Sequence, residues 1–260
     1  MLKKIVIAFA SAGLLSACIT SPTGRQQLIL MPETQVDQMG LQAFETLKKD
    51  KPISSNAQYN RIANCIASNI TQGIGGQWEV VVFEDPSYNA FALPGNKIGV
   101  YTGLSNLVQN QDQLAAVIGH EIGHVLARHS NERASQELAV NQGMAMIQSM
   151  SNPTSPMGQT AFGLLGLGAE YGVLMPYSRT QESEADVIGI DLMAKAGFDP
   201  RQSINLWQRM EQASQGQQPV EFLSTHPSPA TRIRDLEQHM PQAMNLYQQA
   251  QAMGRQPRCY

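Results

Sequence analysis

The chain has 260 residues, 42% hydrophobic and 15% charged, and a formal net charge of -3 from 18 basic and 21 acidic side chains. That is enough apolar material to bury a substantial core, which excludes a disordered tail, a polytopic membrane protein, a collagen-like chain and a disulfide mini-scaffold. No basic stripe stands out anywhere, so nucleic acid is not expected as a partner.

In chain order, Lys3 and Lys4 precede an apolar run from Ile5 to Leu15. The run is too short to cross a bilayer and has the length of a signal-peptide core, so residues 1–17 are expected to be a leader. Leu15, Ser16, Ala17 and Cys18 resemble the lipobox of bacterial lipoproteins, which implies acylation of Cys18 and a stable lipid anchor. Ile19 in place of an Asp after that cysteine implies the outer membrane rather than the inner one. An ordinary cleavage site followed by an incidental cysteine is the alternative. Residues 18–32, with Pro22, Gly24 and Pro32 among polar residues, read as a lipidated tether, and residues 33–260 as the functional domain.

Apolar residues at helical intervals predict helices over Glu33 to Lys49 and Asn56 to Ile70. The runs Trp78 to Glu84, Asn89 to Leu93 and Lys97 to Tyr101 predict three short strands. Beyond Gly103 the pattern is helical, with Asp112 as the expected N-cap of a helix reaching about His129. Further helices are expected over Ser178 to Ala196, Pro200 to Ala213, Pro227 to His239 and Met240 to Met253. Between them, Ala161 to Gly172 alternates Gly with Leu, a flap or close-packing element in which Gly166 and Gly168 weaken intrinsic helicity. Two cysteines remain after Cys18. Cys65 and Cys259 either pair, pinning the C-terminal tail to an early helix, or stay as two thiols, because spacing alone does not decide proximity.

The chemistry concentrates at His120, Glu121, Ile122, Gly123 and His124, an HExxH pentapeptide inside a predicted helix. A separation of four residues stacks both imidazoles on one face, where they can hold one Zn²⁺. Glu121 projects beside them and can take a proton from a water that the metal acidifies. The flanking Ala115 to Ile118 and Val125 to Ala127 make this helix apolar, so its polar side chains need partners, which a metal supplies. Core histidines satisfied by ordinary hydrogen bonds are the bland alternative. His129 points off that face and reads as a solvated terminal residue, and His239 has no companion motif.

A catalytic zinc site needs a third protein ligand. On the helix Ser178 to Ala196, Glu182, Ala185, Asp186 and Gly189 fall on one stripe, whose small members would let it approach the HExxH helix closely. Glu182 is the expected ligand and Asp186 the acceptor that orients a ligating imidazole through its other N–H. Glu184 lies on the far side of that helix and reads as a solvent-facing acid.

HEIGH at 120–124, Ser178 and Arg179, and the Glu182 to Asp186 pattern resemble the membrane-associated HExxH zinc metallopeptidase family of the HtpX and prenyl-protein endopeptidase type. Asn89, Ala90, Phe91, Ala92, Leu93, Pro94 and Gly95 are similar to its NAFALPGG segment, with Asn96 at the last position. The resemblance spans about residues 35–240 and implies an α+β, mainly helical, gluzincin-like fold with a small three-stranded sheet and an active-site helix pair. It implies that Asn89, Ala90 and Phe91 hold an extended substrate by main-chain hydrogen bonds. Thr225, His226, Pro227 and Arg232 resemble its HPxxxxR motif, which implies that His226 and Arg232 face the oxyanion, and that His226 can instead bind the zinc in a closed state. With no membrane-spanning segment and no TPR array in this chain, the resemblance points to the BepA/LoiP-like periplasmic lipoprotein branch. One Zn²⁺ per chain, unfolded or misassembled envelope polypeptides as substrates, outer-membrane lipid through Cys18 and the outer-membrane assembly machinery are the implied partners. A holdase that rarely cuts is the alternative, and a hydrolase of a non-peptide substrate is disfavoured by the strand-like Asn89 to Leu93 segment.

Overall fold

A computed structural model describes residues 18–151, 177–214, 221–226 and 229–260. The expected leader, the glycine-rich segment with Gly166 and Gly168, and Pro227 lie outside the described residues. Where one domain was expected, the chain divides into two compact units, and the boundary falls inside a helix: residues 18–36 with 128–151, and residues 37–127 with 177–260.

The first unit holds the antiparallel hairpin β1 (Cys18–Thr20) and β2 (Gln26–Leu28), the start of α1 (Glu33–Asp50) and α5 (His129–Ser151). A folded hairpin thus stands where a tether was expected. Ser21 closes its turn by accepting the Arg25 N–H at 3.1 Å, and Gly24 takes a φ of 92° that a side chain would resist. Arg25 then forks onto both oxygens of the buried Glu132, at 2.6 and 2.7 Å, and Leu30 N–H donates to Ser135 at 2.8 Å. Three-residue strands leave almost no periodicity to read; a buried carboxylate that demands a cation fixes the segment instead. His129, expected in solvent, is buried.

In the second unit, Asn56 caps α2 (Ala57–Thr71) by accepting from Gln58 N–H and Tyr59 N–H, and Ile62, Ile66 and Ile70 form its buried stripe. The sheet order is β3–β5–β4, with β5 (Lys97–Tyr101) parallel to β3 (Glu79–Phe83) and antiparallel to β4 (Ala90–Leu93). β4 is therefore an edge strand. After α3 (Thr102–Leu107) comes α4 (Gln111–Leu126), capped by Asn110 rather than the expected Asp112. Asp112 instead accepts the Asp199 N–H at 3.0 Å. The helix stops short of His129 because Arg128 adopts a φ of 54°.

Ser178 and Gln181 form a capping box on α6 (Arg179–Ala196), and Gly197 ends it at a φ of 94°. α7 (Gln202–Ser214) and the short α8 (Glu221–Thr225) follow, α8 being absent from the sequence expectations. The two helices expected at the C-terminus are one, α9 (Pro229–Ala252), running through Pro241. Leu236, Ala243 and Ala250 are buried at seven-residue spacing across that proline, so one continuous face outweighs the missing hydrogen bond. Among the described residues no helix is long and apolar enough to cross a membrane.

α4 and α6 pack backbone to backbone. A Cβ at Gly119 would lie 2.8 Å from Gly189 O, one at Gly123 2.7 Å from Ala185 O, and one at Gly189 2.7 Å from His120 N. The small residues of the expected stripe are thus at the contact. Gly189→Ala should lower stability by about 1–3 kcal/mol through overpacking, read as a fall in the urea midpoint; an unchanged midpoint would contradict the contact.

Cys65 of α2 and Cys259 form a disulfide, with Cα atoms 5.6 Å apart and a sequence separation of 194. Replacing both with alanine should cost about 2–4 kcal/mol in urea unfolding. Added reductant should bring the wild type down to the variant while leaving the variant unmoved.

Candidate metal centre

The α4–α6 contact places His120, His124 and Glu182 side by side, each at most 3% exposed. His120 Nε2 and His124 Nε2 are 3.0 Å apart. Glu182 oxygens lie 3.6 Å from His120 Nε2 and 3.4 Å from His124 Nε2. Ligands about 2.0–2.1 Å from one tetrahedral zinc are roughly 3.3 Å apart, so these three donors fit such an ion. Two facing imidazole nitrogens and a carboxylate, all buried, are otherwise a poor hydrogen-bonding set. His226 from the end of α8 completes the group: donor atoms of all four residues lie within 4.8 Å of one another.

His120 Nδ1 lies 3.0 Å from Asp186 Oδ1. An N–H there leaves Nε2 unprotonated and turned to the other donors, the tautomer that metal binding requires. Burial pushes the Asp186 carboxyl above the usual range, opposed by the Arg232 guanidinium that donates to it.

Glu121 is 2% exposed and its Oε2 accepts the Ala92 N–H of β4 at 3.0 Å, while Oε1 faces His226 Nε2 at 3.4 Å. Burial pushes this carboxyl up to about 8 against the pull of the Ala92 N–H and Arg232. The carboxylate therefore stands between the helix pair and the edge strand, with one oxygen fixed by the strand and the other turned to the group. Glu184, expected in solvent, is buried too, whereas His239 makes an ordinary 2.8 Å contact with Asp191.

The NAF segment divides its work. Asn89 is buried, and its Oδ1 has no hydrogen-bond partner among the described residues. Ala90 lies buried on β4, and the Phe91 ring lies on Gly99 among Phe44, Phe83 and Tyr101. Its side chain thus belongs to the core.

The family model described as Peptidase family M48 matches residues 54–240, which contain Asn89, His120, Glu121, His124, Glu182, Asp186, His226 and Arg232. The chain belongs to Peptidase family M48. M48 peptidases use zinc, in keeping with the donor set. The chain is 42% identical over 169 residues to the mitochondrial metalloendopeptidase OMA1 of Schizosaccharomyces pombe, covering 64% of this chain and 48% of that protein. Human mitochondrial OMA1 is 33% identical over 94% of this chain and 51% of its own length. The metalloprotease LoiP of Escherichia coli is 26% identical over 92% of this chain and 97% of its own. The chain thus spans about half the length of its OMA1 relatives. No single branch of M48 is marked out, and the expected BepA/LoiP-like branch is matched at lower identity than OMA1.

Sequence reading missed three aromatic residues of this M48 site. Tyr177 stacks on His124 at 3.9 Å, Phe222 stacks on His226 at 4.2 Å, and Trp207 lies 3.7 Å under Arg232. Only the apolar spacing of α7 hinted at Trp207, and it reads equally as core.

Asp186→Asn keeps size but offers His120 a weaker acceptor. It should loosen zinc about ten- to a hundred-fold, measured by chelator competition; unchanged affinity would remove Asp186 from the centre.

Proposed function

We propose that this chain is a zinc-dependent endopeptidase that is lipid-anchored at the outer membrane through Cys18 and cleaves misfolded or misassembled envelope polypeptides. The observation that carries the enzymatic reading is the buried His120–His124–Glu182 group with Glu121 held between it and an edge strand. Zinc held there by His120, His124 and Glu182 would supply Lewis acidity toward water and the scissile carbonyl. Glu121 Oε1 takes the proton of the attacking water and later delivers it to the leaving amine, while Ala92 N–H keeps the carboxylate from turning. The substrate lies extended beside β4, with the Asn89 side chain and the outward main chain of Ala90 as its contacts, the main-chain groups of Phe91 being turned toward β5. His226 serves the developing oxyanion once substrate enters.

Four features support the envelope setting. Leu15 to Cys18 has the order of a lipobox, and the Cys65–Cys259 disulfide suits an oxidising compartment. LoiP matches over nearly its whole length, and a Yersinia pestis relative, 29% identical over 68% of this chain, is called a beta-barrel assembly-enhancing protease. That name supports the assembly machinery as a partner. The mitochondrial relatives support the shared peptidase chemistry rather than this location.

A second reading, a holdase with latent activity, is favoured by His226 lying among the metal donors. The experiment compares zinc content and casein cleavage of the full chain with Glu121→Gln and His226→Ala. One zinc per chain in all three, with cleavage at least about a thousand-fold lower in Glu121→Gln, is the expected result. Cleavage by Glu121→Gln at the wild-type rate would overturn the mechanism. A silent wild type released by His226→Ala would establish the latent form.

A further inference from the structure

The resemblance to M48 motifs implies an oxyanion role for Arg232, but its surroundings are of another kind. The side chain is 1% exposed and lies on α9. Its Nε and Nη2 donate to the two oxygens of Asp186 at 2.7 and 2.6 Å. Nη1 lies 2.6 Å from Glu182 Oε2, an ion pair whose angle is outside hydrogen-bond geometry. One guanidinium therefore bridges two carboxylates a helical turn apart on α6, the one that would ligate the metal and the one that orients His120.

The flat face of Arg232 rests 3.7 Å from the ring of Trp207, which is 4% exposed on α7. An indole face attracts a cation without offering a donor or acceptor that would draw a guanidinium nitrogen off its carboxylate. Trp207 also meets His120 edge-on at 6.4 Å and Phe222 at 5.7 Å, so its position is fixed from several sides.

We propose that Arg232 and Trp207 are positioning residues, a clamp that sets the spacing of Glu182 and Asp186 and so shapes the zinc site. The proposal rests on the metallopeptidase reading and deepens it. A donor that serves the oxyanion must point at the substrate carbonyl, whereas the nitrogens of Arg232 point at the two carboxylates and, through Nη2 at 2.9 Å from Nδ1 and 3.2 Å from Nε2, at the His120 ring. Planarity is what the bridge requires: a lysine ammonium is a point charge that cannot fork across Asp186 and reach Glu182 as well.

The test measures the zinc dissociation constant of the full chain by competition with a chromophoric chelator, with the thermal midpoint and the kcat and KM for a peptide recorded alongside. Trp207→Leu and Arg232→Lys should each weaken zinc about ten- to a hundred-fold, and Trp207→Phe should recover most of the loss. Met210→Ala, at a fully buried core position on the same helix, should lower the midpoint and leave zinc affinity unchanged. The clamp is overturned if Trp207→Leu and Arg232→Lys hold zinc as tightly as wild type, or if Met210→Ala weakens it as much. It is also overturned if Arg232→Lys keeps its zinc affinity but loses kcat, which would return Arg232 to the substrate. Should Trp207→Leu not fold, Trp207→Phe and Arg232→Lys decide on the same terms. Wild-type protein that holds no zinc overturns the metallopeptidase reading itself, and the clamp with it.

Discussion

At Gly119, Gly123 and Gly189 the backbones of α4 and α6 approach to distances at which no Cβ fits. His120, His124, Glu182 and Asp186 project from this contact, two from each helix, and their mutual distances follow from it. Ridge-into-groove packing of larger residues holds helix axes about 8–10 Å apart, and a side chain at any of these three glycines would push the two pairs of donors away from each other. The glycines cost helix propensity, yet both helices persist. α4 is buried along most of its length, and α6 is capped at both ends, by the Ser178 box and by Gly197.

Closeness creates an electrostatic problem. Glu121, Glu182, Asp186, His120, His124, His226 and Arg232 are all at most 4% exposed. Carboxylates so buried are stable only with compensating charge and donors nearby. Arg232 supplies one charge from α9, flanked by Trp207, and the donor group is built to accept a cation. The aromatic side chains around it, Trp207, Phe222 and Tyr177, exclude water from the imidazole faces.

The metal-binding group was legible because it is local in sequence. HExxH fixes two ligands by helical spacing alone, and the stripe Glu182, Ala185, Asp186, Gly189 carries both the acids and the small residues that let them approach. What could not be read depends on partners distant in the chain. Nothing around Arg25 announces that Glu132 lies buried and waiting for it, so a folded hairpin looked like a linker. Asp112 and Asn110 are equally good caps by residue type, and only the pull of the Asp199 N–H on Asp112 separates them. Pro241 resembled a helix boundary because local rules see the missing N–H and not the buried face that continues past it. Phe91 looked like a substrate contact because the segment around it was read as one unit, although alternate residues of a strand face opposite ways.

That alternation couples the sheet to the chemistry. Asn89 O accepts the Tyr101 N–H at 3.0 Å, so Asn89, Phe91 and Leu93 turn their main-chain groups toward β5. Ala90 and Ala92 therefore turn theirs outward, and the outward N–H of Ala92 is the one that Glu121 accepts. A slip of one residue would turn the Ala92 N–H toward β5 and deprive the carboxylate of that donor. The register is pinned on the other face by the Phe91 ring, which fills the space that a side chain at Gly99 would occupy, a Cβ there falling 2.2 Å from the ring. The aromatic core around Phe91 thus reaches the site through register: it decides which amide meets Glu121, and hence which carboxylate oxygen remains for the proton.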